Sequence, residues 1–275
     1  MRERAVNLLY GQRALVIGAL QPVAFIGTGQ RSKAHATPWK RLVHTAEMFD
    51  AVFFGSKQEA DRALAFTRRL HERVNGTIDV QAGPYGPSTP YDALDSQLML
   101  WVTAPLYDSA RVLHDTFVRP LDAEEDEALY QDFCTWGELF GMDRDVLPPT
   151  ATEFRAWWPE QLTGDGVHLT EEARTVGLNI MLRMPSPRAL RPAMRTAGFL
   201  VQGSLPPVVR EHYRLRWSLA DETAYRATAR AARLGRPVTP RRLRRGSSAE
   251  AYALLRRSER QDLRKGRASF QGIGR

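Results

Sequence analysis

The stretch KQEADRALAFTRRLHERVNG, residues 57–76, sets the reading of the whole chain. Ala60, Ala63, Leu64, Thr67, Leu70 and Val74 recur at the i, i+3, i+4, i+7 spacing of a buried helix face, and the charged residues fall between them. This is a helical period with no strand-like alternation. His71 lies within the apolar stripe. An imidazole on a dry face is either a core histidine bonded to a backbone carbonyl or a ligand to metal or haem iron, since neutral imidazole in an apolar pocket is how proteins hold haem.

Outward from this stretch the same period continues. Helices are expected over residues 3–19 and 21–27 with Pro22 at a kink, then from Thr37-Pro38 to about Phe54, with Thr37 as N-cap and Pro38 at the first position. The segment 28–36 reads as a polar loop and 77–90 as a Gly/Pro loop. Further helices are expected at about 91–118, 123–140, 151–162, 170–182, 189–203, 207–213 and 218–234. No alternating run long enough for a sheet is present, and no internal repeat. Glu124, Glu125, Asp126 and Glu127 suit the positive end of a helix dipole better than a catalytic carboxylate cluster. Trp101, Tyr107, Trp136, Trp157 and Trp158 are expected in the core or at its rim. The fold class is all-α.

Composition agrees with one packed body. The 275 residues are 43% hydrophobic and 25% charged, ordinary for a globular chain and too apolar for wholesale disorder. The single cysteine, Cys134, excludes an internal disulfide and a cysteine-rich zinc site. The net charge of +8 is uneven: from Arg226 to Arg275 there are 15 basic and 3 acidic residues, while the first 225 residues hold 24 and 28. The organisation expected is a helical domain over 1–235 and an Arg-rich tail over 236–275, a surface arm with a helix near 248–265 that contacts acidic surfaces. Only Lys33, Lys40, Lys57 and Lys265 are lysines, a bias that a GC-rich genome also produces. The apolar run from Ala14 to Gly27 is broken by Gln21-Pro22 and is short of the roughly 20 residues a spanning helix needs. No clean signal-peptide cleavage site follows the N-terminal arginines, and a cytoplasmic protein is expected.

A second cluster lies on the helix before His71. Arg41, His44, Thr45 and Met48 share one face, beside the apolar face of Leu42, Thr45, Ala46, Phe49 and Val52. A guanidinium and a hydroxyl one turn apart suit a carboxylate, a haem propionate or bound oxygen; an arginine paired with a neighbouring acid is the plainer reading. Gly27-Thr28-Gly29 is not a dinucleotide fingerprint, for no strand precedes it and the third glycine is missing. No HExxH, CxxC or GxSxG occurs.

Taken in order, GQRALVIGALQPVAFIG (11–27), TPWKRLVHT (37–45), FFG (53–55), RRLHERVNG (68–76), PYDALDSQLMLWV (90–102), FGM with LPP (140–149) and GSLPPVVRE (203–211) resemble the haem-dependent oxygenases typified by MpaB and latex clearing protein, the rubber oxygenase. The resemblance covers about residues 3–245. It implies an all-α, globin-like domain holding one haem b, and cleavage of carbon–carbon double bonds in isoprenoid chains with dioxygen. It makes His71 the proximal ligand to the iron, and Arg41 and Thr45 catalytic residues of the distal side, with Arg41 also cofactor-binding. His44 stands where some rubber oxygenases carry an iron-capping lysine, and is a candidate second ligand. Arg31-Ser32 replaces a common His-Ser, and Ser96 follows Asp95 where proline is common.

The function expected is a haem b oxygenase acting with dioxygen on a small lipophilic, unsaturated substrate. Two other readings stand beside it. One is a haem sensor or carrier without turnover, with His71 and His44 as paired ligands. The other is a haem-free helical protein whose tail binds nucleic acid or acidic lipid.

Overall fold

The computed structural model describes residues 3–31 and 38–266. It is predominantly α-helical, 69% by residue. In chain order the helices are α1 (Arg4–Asn7), α2 (Tyr10–Gly18), α3 (Pro22–Arg31), α4 (Pro38–Phe54) and α5 (Lys57–His71). Strands β1 (Asn75–Thr77) and β2 (Pro90–Asp92) follow, then α6 (Ser96–Phe117), α7 (Ala123–Leu139), α8 (Ala151–Gln161) and α9 (Glu171–Leu182). The chain continues through α10 (Arg191–Ser204), α11 (Pro207–His212), α12 (Leu219–Gly235), α13 (Arg241–Arg244) and α14 (Ser248–Arg264).

The caps explain why the boundaries fall where they do. Ser56, Asp122, Thr150 and Ser218 each close a reciprocal capping box with the acid three residues on, Glu59, Glu125, Glu153 and Asp221. Thr170 caps α9 through the Ala173 N–H. Glu125 also takes Arg119 at 2.6 Å, as an acid in a first turn does. Asp126 departs from the sequence expectation. It turns inward, is buried, and accepts from Tyr107 at 2.7 Å and Arg155 at 2.6 Å.

Helix α6 is the centre, packed by α1, α2, α7 and α12. Its Pro105 has no N–H to give the Trp101 carbonyl. Gly18 of α2 lies against that same carbonyl; a Cβ there would come within 2.8 Å of it. The interface therefore closes at a point where neither helix carries bulk. Beside it, Arg13 is fully buried, bonded to Asp108 at 2.7 Å, Ser109 at 2.9 Å and the Ser204 carbonyl at 3.1 Å. Tyr107, Trp158 and Cys134 are buried, with Trp101, Trp136 and Trp157 packed against the core.

Three sequence expectations change. The hydrophobic N-terminal helices do bend, by 104°, where Pro22 starts α3, but α3 continues to Arg31, into the segment read as loop. Thr37 and Ser32 lie outside the described residues. Strands β1 and β2 pair antiparallel, Gly76 opposite Tyr91, as a two-stranded sheet too short to leave an alternating pattern. The helix expected near 248–265 is α14, but the basic tail is not a surface arm: α14 packs along α4, burying Tyr252 and Leu255 against Trp39, Leu42, Val43 and Ala46. Among the described residues no single helix is long and apolar enough to cross a membrane.

Candidate functional site

Helices α4 and α5 form an antiparallel hairpin bent at Gly55-Ser56. The bend requires glycine: a Cβ at Gly55 would sit 2.5 Å from the Ala51 carbonyl. Residues equally far from the bend then face one another. His44 meets Phe66 there, ring centroids 5.4 Å apart and edge-to-face. One turn further from the bend, at about 22 Å by helical rise, Arg41 and His71 come level.

The electrostatics agree with that register. His71 is half-buried, and its pKa lies below the ordinary histidine value, first from burial and then from the charge of Arg41; Asp92 on β2 opposes the shift. Its Nδ1 is buried with no hydrogen-bond partner among the described residues. Burial also lowers the Arg41 pKa, although the side chain keeps accessible surface. Next to His71 in the chain, Val74 packs against a small apolar cluster of Val23, Ile78, Ala82 and Tyr91. Gly27 of α3 rests on the Tyr91 ring, where a Cβ would come within 2.7 Å of it.

The charge of Arg41 is thus felt at His71. Thr45 is exposed one turn along α4 from Arg41. His44 is half-exposed and is engaged by Phe66 and by Glu47 at 3.6 Å; Phe66 and His71 lie roughly 140° apart around α5. The stripe on α5 is narrower than its sequence suggests. Only Ala63 is fully buried, and Leu70 is 46% exposed, because α5 packs chiefly on α4 and has no second helix over it.

Two contributors escaped the sequence. Asp92 lies in a motif read as the start of a helix, and Glu259 is an isolated acid in a basic segment. Glu259 is buried, and its two oxygens accept from the backbone N–H of Trp39 at 3.2 Å and of Lys40 at 3.1 Å, at the start of the helix that carries Arg41.

The donor set bears on what the site holds. Among the described residues no group of three or more His, Cys, Asp or Glu converges to cage a metal. One imidazole suffices for iron only when a macrocycle supplies the in-plane ligands. A half-buried histidine of lowered pKa, with a ring nitrogen unpartnered among the described residues, fits that role. A separate cavity of about 320 Å³, lined by Ala110, His114, Arg119, Glu125 and Asp132, lies elsewhere, between α6 and α7.

Over residues 1–234 the chain matches the catalytic domain described as ER-bound oxygenase mpaB/B'/rubber oxygenase, and it belongs to that family. The family is one of oxygenase catalytic domains. The chain is also 26% identical over 210 residues to an uncharacterized protein of Mycobacterium bovis and to one of Mycobacterium tuberculosis, covering 74% of this chain and 77% of each relative. No solved structure matches it.

Proposed function

We propose that the protein is a haem b-dependent oxygenase that uses dioxygen on a lipophilic, unsaturated substrate. The observation that carries this is a half-buried His71, its pKa lowered by burial and by the charge of Arg41, whose Nδ1 has no partner among the described residues, in a chain of the oxygenase family. His71 would hold the iron. Its depressed pKa keeps the imidazole neutral near pH 7, the form that ligates. Haem, when bound, supplies the activation of dioxygen. Arg41 would offer a charged donor whose field reaches the iron-holding residue, and Thr45 a hydroxyl on the same helix one turn away. Donors of this kind act where negative charge grows during turnover and cost little reorganisation. The apolar cluster of Ile78, Ala82 and Tyr91, which Val74 joins to the His71 end of α5, would suit an apolar substrate.

The test is an absorption spectrum of the purified protein before and after dithionite and carbon monoxide, with oxygen uptake measured on a terpenoid olefin. A Soret band lost in His71→Ala, with oxygen uptake in the wild type, supports the reading. Full haem occupancy in His71→Ala overturns the ligand assignment. Haem without olefin-dependent oxygen uptake leaves a carrier or sensor.

A further inference from the structure

We propose that the surface formed by the end of α12, the turn after it and α13 docks on an anionic lipid bilayer. Between Glu222 and Glu250 the sequence has no acidic residue and eight arginines. In the same stretch three aliphatic side chains stand out into solvent, Leu234 at 70%, Val238 at 84% and Leu243 at 61% exposure. Leu234 and Val238 are four residues apart across a closed turn, in which the Thr239 N–H donates to the Gly235 carbonyl at 3.1 Å. Leu243 follows on α13, whose first turn is closed by its own N–H to the Pro240 carbonyl at 2.9 Å.

The surface is braced from behind. Arg236 and Arg244 reach Glu3 at 3.1 and 3.8 Å, and Arg233 donates to the carbonyls of Asp115 and, at 2.8 Å, Thr116. Those contacts tie it to the first residues of the chain and to α6. Arg230, Arg241, Arg242 and Arg245 are exposed, and their guanidinium groups form no ion pair among the described residues.

Guanidinium groups flanking projecting aliphatic side chains match a membrane interface. The charges meet anionic headgroups while the apolar tips enter the acyl boundary. A nucleic acid fits less well. Single strands are held by stacking on aromatic side chains, and the stretch has only Tyr225, which is buried. Base reading in a groove needs a helix longer than the four residues of α13. A second copy meeting this face through itself would set arginine against arginine.

The experiment is co-sedimentation of the full chain with phosphatidylcholine vesicles with and without phosphatidylglycerol, at low and high sodium chloride. Binding only to the anionic vesicles is expected. Arg241→Ser with Arg242→Ser should weaken it about fivefold per arginine and flatten its salt dependence. Leu234→Ser, Val238→Ser and Leu243→Ser together should leave the salt dependence but release the protein at high salt. No sedimentation with anionic vesicles, equal binding to phosphatidylcholine alone, or tighter binding to duplex DNA or RNA than to the anionic vesicles would overturn the proposal. So would a dimer that dissociates in the Leu243→Ser variant. None of these readouts depends on haem or on turnover.

Discussion

The carboxylate of Glu259 closes the first turn of α4, one oxygen on the Trp39 N–H and the other on that of Lys40. A residue of the basic C-terminal segment thereby completes the helix that carries Arg41, across an interval of more than two hundred residues. Glu259→Ala would leave one buried and one part-buried N–H group at a helix start without an acceptor, at a cost of about 1–3 kcal/mol. Glu259→Gln, which keeps one acceptor oxygen, should cost less. Thermal or urea unfolding of both variants measures the difference. A chain ended at Leu234 also uncovers the Trp39–Ala46 face of α4, and should unfold at lower temperature than Glu259→Ala. An unchanged transition in that truncation would show the packing to be energetically silent.

Arg41 and Thr45 separate binding from chemistry. If they serve turnover, Arg41→Ala and Thr45→Ala keep haem and lose rate per haem by about 10²-fold, the scale of removing one preorganised donor. If Arg41 serves only a haem carboxylate, occupancy falls and rate per haem stays. Haem content by pyridine hemochrome, measured beside oxygen uptake, tells the two apart.

Gly18→Ala drives a methyl group to within 2.8 Å of the Trp101 carbonyl, and α2 must move off α6. A loss of about 1–3 kcal/mol is expected, as for overpacking elsewhere in cores. Denaturant titration reads it directly. Gly235→Ala, whose Cβ meets nothing within 4 Å, is the matched control and should be neutral or slightly stabilising.

Stability should rise with pH through the histidine range. Burial lowers the pKa of both His114 and His212 in the folded chain. The unfolded chain then binds more protons between the folded and the ordinary value, so their stability contribution is complete above the ordinary value of about 6.5 and is lost as pH falls through the folded values. Unfolding free energy followed from about pH 7 to about pH 5 should drop, and His114→Gln with His212→Gln should flatten that slope. An unchanged slope would place the effect elsewhere.

Most helices were legible because their caps are local: Ser56, Asp122, Thr150 and Ser218 each announce a start within four residues of sequence. The level of Arg41 against His71 was legible in principle too, once a glycine bend at Gly55 is taken as the hairpin's fixed point. What hid was tertiary. Tyr252, Leu255 and Glu259 fall at i, i+3 and i+7, a face as regular as any in the chain, but arginines on either side mask it. The half-covered face of α5 could not be seen from α5 alone, since its exposure depends on which helices lie over it. The sheet of three-residue strands is below the length at which alternation is readable.

The long reach from Trp39 to Glu259 has a consequence for biosynthesis. Translation is vectorial, and residues 1–234 are synthesised before α14 is. Until Glu259 emerges from the exit tunnel, α4 lacks its lock, and the nascent chain carries Arg41 on an unfastened helix. The fastening of α4 therefore waits on a segment made more than two hundred residues after it.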